Sequence, residues 1–445
     1  PEKVSIAGDG LIAGDDYTVT TIGNNVFAGN TSITSVTLPD TVTSIGGSAF
    51  QSCSNLTTIN LPEGLTSIGG YAFSYCTKLT GIVLPDTLKT IGDMAFYNCQ
   101  LLTGTLNIPA SVESIGTAAL VMQGLTAFTV DATSQHFTAV EGILYSKDMT
   151  RLIVYPRARA ATDFVIPNSV EIIADQAFNQ CYDLQGSLTL SSNLTTIGDQ
   201  AFYMCTELSG TLNIPAGVTS IGEGVFSDCK FTEIIVDENN STYTSEGGVL
   251  YNKAKTKLIQ YPAGSPNTSF TIPSTVTHLE NFSMMYCQNL TSVVLPLNLQ
   301  SIGYLAFYNS INLTGETLVL PSTLTYIGYA AFASCKYQAF SINNSYYTTI
   351  DGVLYNASKT QLIQYPAGKT DASFTIENTV TTIRDYAFRR AANLMSVTIP
   401  ASVTTIGYEA FRYCDNLTTV TIDSSSIAAQ LTSSEQGGYR KYTAA

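Results

Sequence analysis

Nine cysteines are the first residues in this 445-residue chain whose number invites chemistry. Thiols can staple a fold, bind a metal or attack a substrate, and their spacing and company decide which. Here the company is sparse. The chain has two histidines and no tryptophan, so no imidazole accompanies the cysteines and metal ligation is not expected. His136 and His278 stand alone at variable positions and read as surface variants. No Gly-x-Ser-x-Gly, His-Glu-x-x-His or phosphate-loop pattern occurs. The carboxylate pairs Asp15-Asp16 and Asp237-Glu238 fall in turns and do not recur, and Asp and Glu are read as not stacking in register. No catalytic residue, metal set or cofactor site is assigned, and the chain is read as not an enzyme.

Cationic chemistry is the exception. Charged residues are 12% of the chain and the net charge is −14. That balance excludes nucleic acid and disfavours anionic membranes, since both need a basic face. Arginine is absent from residue 160 to 383, and then four of the eight arginines fall within 384–412. Arg389, Arg390 and Arg412, with Tyr413 beside them, are the candidate contact for an acidic protein or anionic glycan. A local attraction on a repulsive background favours defined docking.

The elements that position these residues are repeats. Ile-Gly-x-x-Ala-Phe recurs with its first residue, the anchor, at Ile22, Ile45, Ile68, Ile91, Ile115, Ile173, Ile197, Ile221, Leu279, Ile302, Ile327, Ile383 and Ile406. Spacings are 23 to 25 residues, with three gaps of 58, 58 and 56. A fixed period of this size predicts a solenoid whose units bury their apolar faces only against neighbours. Each unit reads as a short strand ended by Pro, a second extended piece at the anchor, a turn, and one helical or 3₁₀ turn such as Tyr71-Ala72-Phe73. Glycine follows the anchor in ten units; Ala174, Glu280 and Arg384 replace it in the units after the long gaps. Backbone freedom or close approach is therefore needed only above an ordinary rung. All nine cysteines lie eight residues after an anchor, a single column of the stack, expected buried and reduced. Positions six and seven after the anchor carry no repeat-defining apolar residue. They hold the three arginines, expected exposed, and Tyr75, Tyr97, Tyr203, Tyr286, Tyr308 and Tyr413, side chains suited to binding. The strand row Thr37, Asn60, Asn107, Thr189, Asn213, Thr398 and Thr421 offers a second, neutral surface.

Each long gap contains Gly-(Ile/Val)-Leu-Tyr and, ten residues after that Tyr, Tyr-Pro: Tyr145 with Tyr155, Tyr251 with Tyr261, Tyr355 with Tyr365. A polar turn between two apolar runs predicts a β-hairpin. Inserts near 125–167, 231–273 and 337–376 are therefore expected to protrude from one edge, each tyrosine pair packing on its own hairpin. The expectation is one continuous β-rich solenoid over 1–423 with a polar tail or cap at 424–445. No apolar run reaches the roughly 20 residues of a membrane-spanning helix. The chain begins without Met and with no apolar leader, so any export signal is expected to be already removed or never present.

Cys76-x-x-Leu79-x-x-Ile82-x-Leu84-Pro85 followed by Ile91-Gly92-x-x-Ala95-Phe96 resembles the BspA-like leucine-rich repeats of bacterial and protist surface proteins, over about residues 20–423. The resemblance implies a leucine-rich-repeat solenoid, secreted or at a cell surface, binding host or neighbouring-cell proteins or glycans; a monomer is expected. The alternative is a β-solenoid polysaccharide lyase or hydrolase. An ice-binding face is more remote, because Thr41-Val-Thr43 and Thr275-Val-Thr277 are too scattered for a flat threonine ladder.

Overall fold

The computed structural model describes residues 18–422, together with the backbone of strand residues 2–5, 9–12 and 15–17. The expected tail at 424–445 lies outside the described residues. Two compact units divide the chain, residues 1–229 and 230–445, and both are built from the same rung.

Parallel pairing stacks the anchors in strict register. In the first unit Ile22, Ile45, Ile68, Ile91 and Ile115 are successive partners, and Leu152, Ile173, Ile197 and Ile221 form a second run. In the second unit the runs are Leu258, Leu279, Ile302 and Ile327, then Leu362, Ile383 and Ile406. Each anchor strand is paired through only two residues, so side-chain columns hold the stack. Phe27, Phe50, Phe73 and Phe96 stack with ring centroids 5.1 to 5.3 Å apart. Beside them runs the cysteine column. All nine thiols are free and buried. Most donate to the carbonyl of the Phe column one rung earlier, as Cys76 does to Phe50 at 3.1 Å and Cys205 to Phe178 at 2.9 Å. Ser310 fills the same slot and donates to Met284 at 2.9 Å, while Ala391 fills it without a donor. Burial pushes the Cys53 thiol up to about 11 and those of Cys99 and Cys414 to about 12.

The described residues contain no helix where a helical or 3₁₀ turn was expected. The third and seventh residues after the anchor take left-handed conformations, for example Ser48, Ser52, Tyr71 and Tyr75 with φ of 54 to 61°. No helix propagates through such residues. Instead the turn carries a polar ladder: the N–H groups at +3, +5 and +7 donate forward to the carbonyls at +2, +4 and +6 of the next rung. Ser48, Phe50 and Ser52 donate to Gly70, Ala72 and Ser74, each at 2.8 Å.

Glycine at +1 serves close approach, not positive φ. A Cβ on Gly69 or Gly92 would stand 2.4 to 2.7 Å from the backbone of the rung beneath. Neither residue, nor Ala174, Glu280 or Arg384, has φ in the left-handed region.

The inserts differ from expectation. Ile143–Ser146 and Arg151–Val154 pair antiparallel as a hairpin, and a third strand, Phe137–Val140, joins them. The group does not protrude. Arg151–Val154 pairs in parallel with Ile172–Ile173 and so takes the place of an anchor strand; the second and third inserts repeat this. Nor do the tyrosines pack on the hairpin alone: all six are among the largest fully buried side chains, and Tyr155 stacks on Phe178 at 5.0 Å, continuing the phenylalanine column. The physical reason is burial: Ile143, Leu144 and Tyr145 are all enclosed, which a projecting two-stranded ribbon cannot achieve. The insert rung runs Leu152-Ile-Val-Tyr155 where an ordinary rung runs Ile-Gly-x-x-Ala-Phe, two residues more.

Candidate functional site

The turn edge, at positions +2 to +7, collects the tyrosines and arginines in both units. In the second unit Tyr286, Tyr308, Tyr386 and Tyr408 meet edge to face in succession, 5.7 to 6.0 Å between centroids. Arg389 does not lie exposed as expected. It is 5% accessible, lies over the rings of Tyr308, Tyr386 and Tyr413 at 4.8 to 5.4 Å, and pairs with buried Glu409 at 2.7 Å. Arg412 pairs with the other oxygen of Glu409, and both Arg390 and Arg412 lie against the Tyr413 ring. The geometry explains the correction: Arg389, at +6, turns under Tyr386 of its own rung and under Tyr308 and Tyr413 from other rungs, while Tyr413, at +7, turns outward. The cluster is thus a brace in which two guanidinium groups share one carboxylate beneath an outward tyrosine, Tyr413, which is exposed. Burial raises the Tyr308 hydroxyl above its usual range, with Arg389 opposing the shift.

The first unit builds the same feature with a residue that sequence reading passed over. Tyr75 and Tyr97 meet edge to face at 5.8 Å, and the Arg157 guanidinium sits 5.7 Å over Tyr97. Its Nε and Nη2 donate to the carbonyl and side-chain oxygens of Asn179 at 2.6 and 2.7 Å. Arg157 is 4% accessible, yet among the described residues no carboxylate pairs with it. Burial raises the Tyr75 and Tyr182 hydroxyls, and Arg157 opposes both shifts while Asp228 adds to that of Tyr182. Tyr75 and Tyr182 are exposed. The signal was present in the repeat alignment: Tyr155-Pro156-Arg157 faces Tyr261-Pro262-Ala263 and Tyr365-Pro366-Ala367 in the other inserts. Tyr203 is half-buried.

Carboxylates do stack in register, against expectation. Asp175, Asp199 and Glu223 stand at +2 of successive rungs, and one oxygen of each Asp accepts the +2 N–H of the next rung at 2.8 to 2.9 Å. Asn24, Asp93, Asn281 and Asp385 do the same. The ladder satisfies backbone donors, and among the described residues no group of three His, Cys, Asp or Glu is placed to hold a metal. The Thr and Asn strand row is outward, with Thr398 partly covered. His136 is exposed, and His278 bonds Thr277 at 2.8 Å. No helix of the described residues is long and apolar enough to cross a membrane.

A family model for the BspA type leucine rich repeat region (6 copies) matches residues 16–138, 156–266, 263–371 and 367–433. Among solved structures, a leucine rich cell surface protein from Faecalibacterium prausnitzii is 25% identical, covering 98% of this chain and 91% of its own, with a TM-score of 0.41. A leucine-rich repeat protein from Eubacterium ventriosum is 29% identical over 73% of this chain and 87% of its own, TM-score 0.49. The pneumococcal vaccine antigen PcpA is 18% identical over 96% and 80%, TM-score 0.39. No curated protein matches the chain.

Proposed function

The chain belongs to the BspA-type leucine-rich repeat family, and on that premise we propose that it is a non-enzymatic binding protein of a bacterial surface whose turn edge holds an acidic glycan. One observation carries the reading. Arg157 is a buried guanidinium with no carboxylate partner among the described residues, under a rim of outward tyrosines. An uncompensated buried charge is costly, so a uronate or sulfate reaching it gains more than it would at a solvated lysine. Tyrosine faces suit the apolar side of a sugar ring, and Tyr and Arg concentrate energy at contact surfaces. The second unit supplies the contrast, since Arg389 already has Glu409.

The decisive variant transplants that counterion. Glu409 stands at +3 of the rung after Arg389, and Gln200 is at +3 of the corresponding rung in the first unit. On an array of sulfated and uronate glycans and acidic extracellular proteins, Gln200→Glu is expected to weaken the wild-type glycan hits at least tenfold while the fold is retained. Unchanged binding of every hit by Gln200→Glu and by Tyr75→Ala overturns the reading. Hits confined to acidic proteins replace the glycan by a protein partner.

A further inference from the structure

The polar ladder of the turn edge breaks at the first insert, and the break is open. Rung Ile115 receives donors from the rung before it: Met94 and Phe96 donate to Thr117 and Ala119 at 2.8 and 2.9 Å. The donors that Ala118 and Leu120 should send forward have no hydrogen-bond partner among the described residues. The cause is the short rung that follows, which lacks the two residues whose carbonyls would receive them. Ala118 and Leu120 are both buried, and a buried amide left unpaired costs about 1–3 kcal/mol.

A cavity of about 250 Å³ lies at the break, lined by these residues together with Thr117, Arg151, Ile153 and Ala174. Asp175 also lines it, with one carboxylate oxygen taken by the Asp199 N–H. Arg151 has no ion pair among the described residues, so the wall carries one charge of each sign, and Ser114, Thr117 and Ser146 add neutral polar groups to an otherwise apolar lining.

The third insert shows the same short rung, and Ala330 and Phe332 are likewise without forward acceptors among the described residues. There the gap is crossed from within. Arg384, the counterpart of Ala174, donates to the Ile327 carbonyl at 3.3 Å and lies 4.3 Å over Tyr329, the counterpart of Thr117. The first unit has a methyl group and a threonine where the second has a guanidinium and a phenol.

We propose that the break in the first unit is a binding site for a short extended peptide segment of a partner protein, whose backbone carbonyls accept from Ala118 and Leu120. In every ordinary rung the group at this place is a peptide carbonyl, and carbonyls of residues i and i+2 of a strand face one edge. Addition of a strand to unpaired main-chain groups is a general mode of peptide capture. The volume lies below the roughly 300–1,000 Å³ of sites for drug-sized ligands, which fits two or three small residues. The balanced charge of the wall selects backbone acceptors over a strongly anionic ligand, which sets this site apart from Arg157.

The test pans a phage-displayed random heptamer library on the wild-type chain and titrates the selected sequences as synthetic peptides. Thr117→Tyr/Ala174→Arg copies the arrangement of the second unit and is expected to weaken selected peptides at least tenfold, with amide exchange over 114–122 slowed by peptide in wild type only. Ala174→Met fills the same space without charge and serves if the double variant fails to fold. Peptide binding is expected to be insensitive to salt between 50 and 500 mM and to Gln200→Glu, so that failure here and failure of the glycan reading are told apart. The proposal is overturned if no peptide is selected, if both filling variants bind equally well, or if only glycans are lost on filling.

Discussion

Two guanidinium groups, Arg157 in the first unit and Arg389 in the second, occupy equivalent places over equivalent tyrosines, Tyr97 and Tyr308, yet they arrive from different rungs. Arg157 comes from the insert rung and bonds Asn179. Arg389 occupies the Asn179 position itself, while Ala367 stands where Arg157 would be. A repeat scaffold therefore fixes where a charge is wanted under the tyrosine edge and leaves open which rung supplies it. What the two units do not share is the counterion. Glu409 pairs with both Arg389 and Arg412, whereas its counterpart Gln200 carries no charge. The second unit pairs its buried guanidinium with a carboxylate; in the first, among the described residues, the guanidinium is held by Asn179 alone.

The largest expected effect comes from making the second unit resemble the first. Glu409→Gln leaves Arg389 buried without its carboxylate and should destabilise by about 3–5 kcal/mol, read as a lowered denaturant midpoint with exchange protection lost around rungs 383 and 406. A loss below about 1 kcal/mol means the pair is solvated and the contrast is false. Next is a double-mutant cycle in the first unit. Arg157→Ala alone should cost about 1.5–3 kcal/mol, and adding Asn179→Arg, which delivers the guanidinium as the second unit does, should recover much of it. Additive losses would show that the two deliveries are not equivalent.

A smaller effect separates ordinary rungs from those above an insert. Gly92→Ala forces a Cβ to within 2.4 Å of the Gly70 nitrogen and is expected to cost about 1–3 kcal/mol by overpacking. Ala174→Gly, above the insert, should cost less than about 1 kcal/mol, the ordinary penalty of added backbone freedom.

The smallest effect is a baseline that both units share. Denatured, unreduced protein should titrate as nine thiols; fewer than about seven means that disulfides staple the rungs. Because burial raises the folded thiols to about 11 for Cys53 and about 12 for Cys99 and Cys414, the unfolded chain ionises first. Stability is therefore full below about pH 9 and falls as pH rises from there through 11 to 12. A melting temperature flat from pH 8 to 11.5 contradicts enclosed thiols in either unit.

The anchor period, the apolar columns and the cysteine slot were legible because each repeats in register, and a column of identical side chains has one packing solution in a stack. The +1 glycine rule was half legible: the exceptions at 174, 280 and 384 marked the rungs above an insert, but contact between backbones had to be seen before positive φ could be set aside. The turn conformation was not legible, since Tyr71, Tyr75 and Arg390 in left-handed backbone leave no residue-type signal as glycine does. The integrated insert was missed for a similar reason. Apolar residues in a hairpin mark burial without saying against what.

Candidate contact residues divide along the same line. Tyr75 and Tyr413 are outward as their variable positions implied, while Arg389 is enclosed, because a +6 side chain lies beneath rings contributed by other rungs. Sequence alone determined the rung, its period and the places where it breaks, through the covalent spacing of apolar side chains that only neighbouring rungs can bury. Only the tertiary structure decided which buried arginine is paired with a carboxylate and which break stays open. Those outcomes depend on residues 20 to 80 positions apart meeting across the stack, and no local pattern records which of them meet.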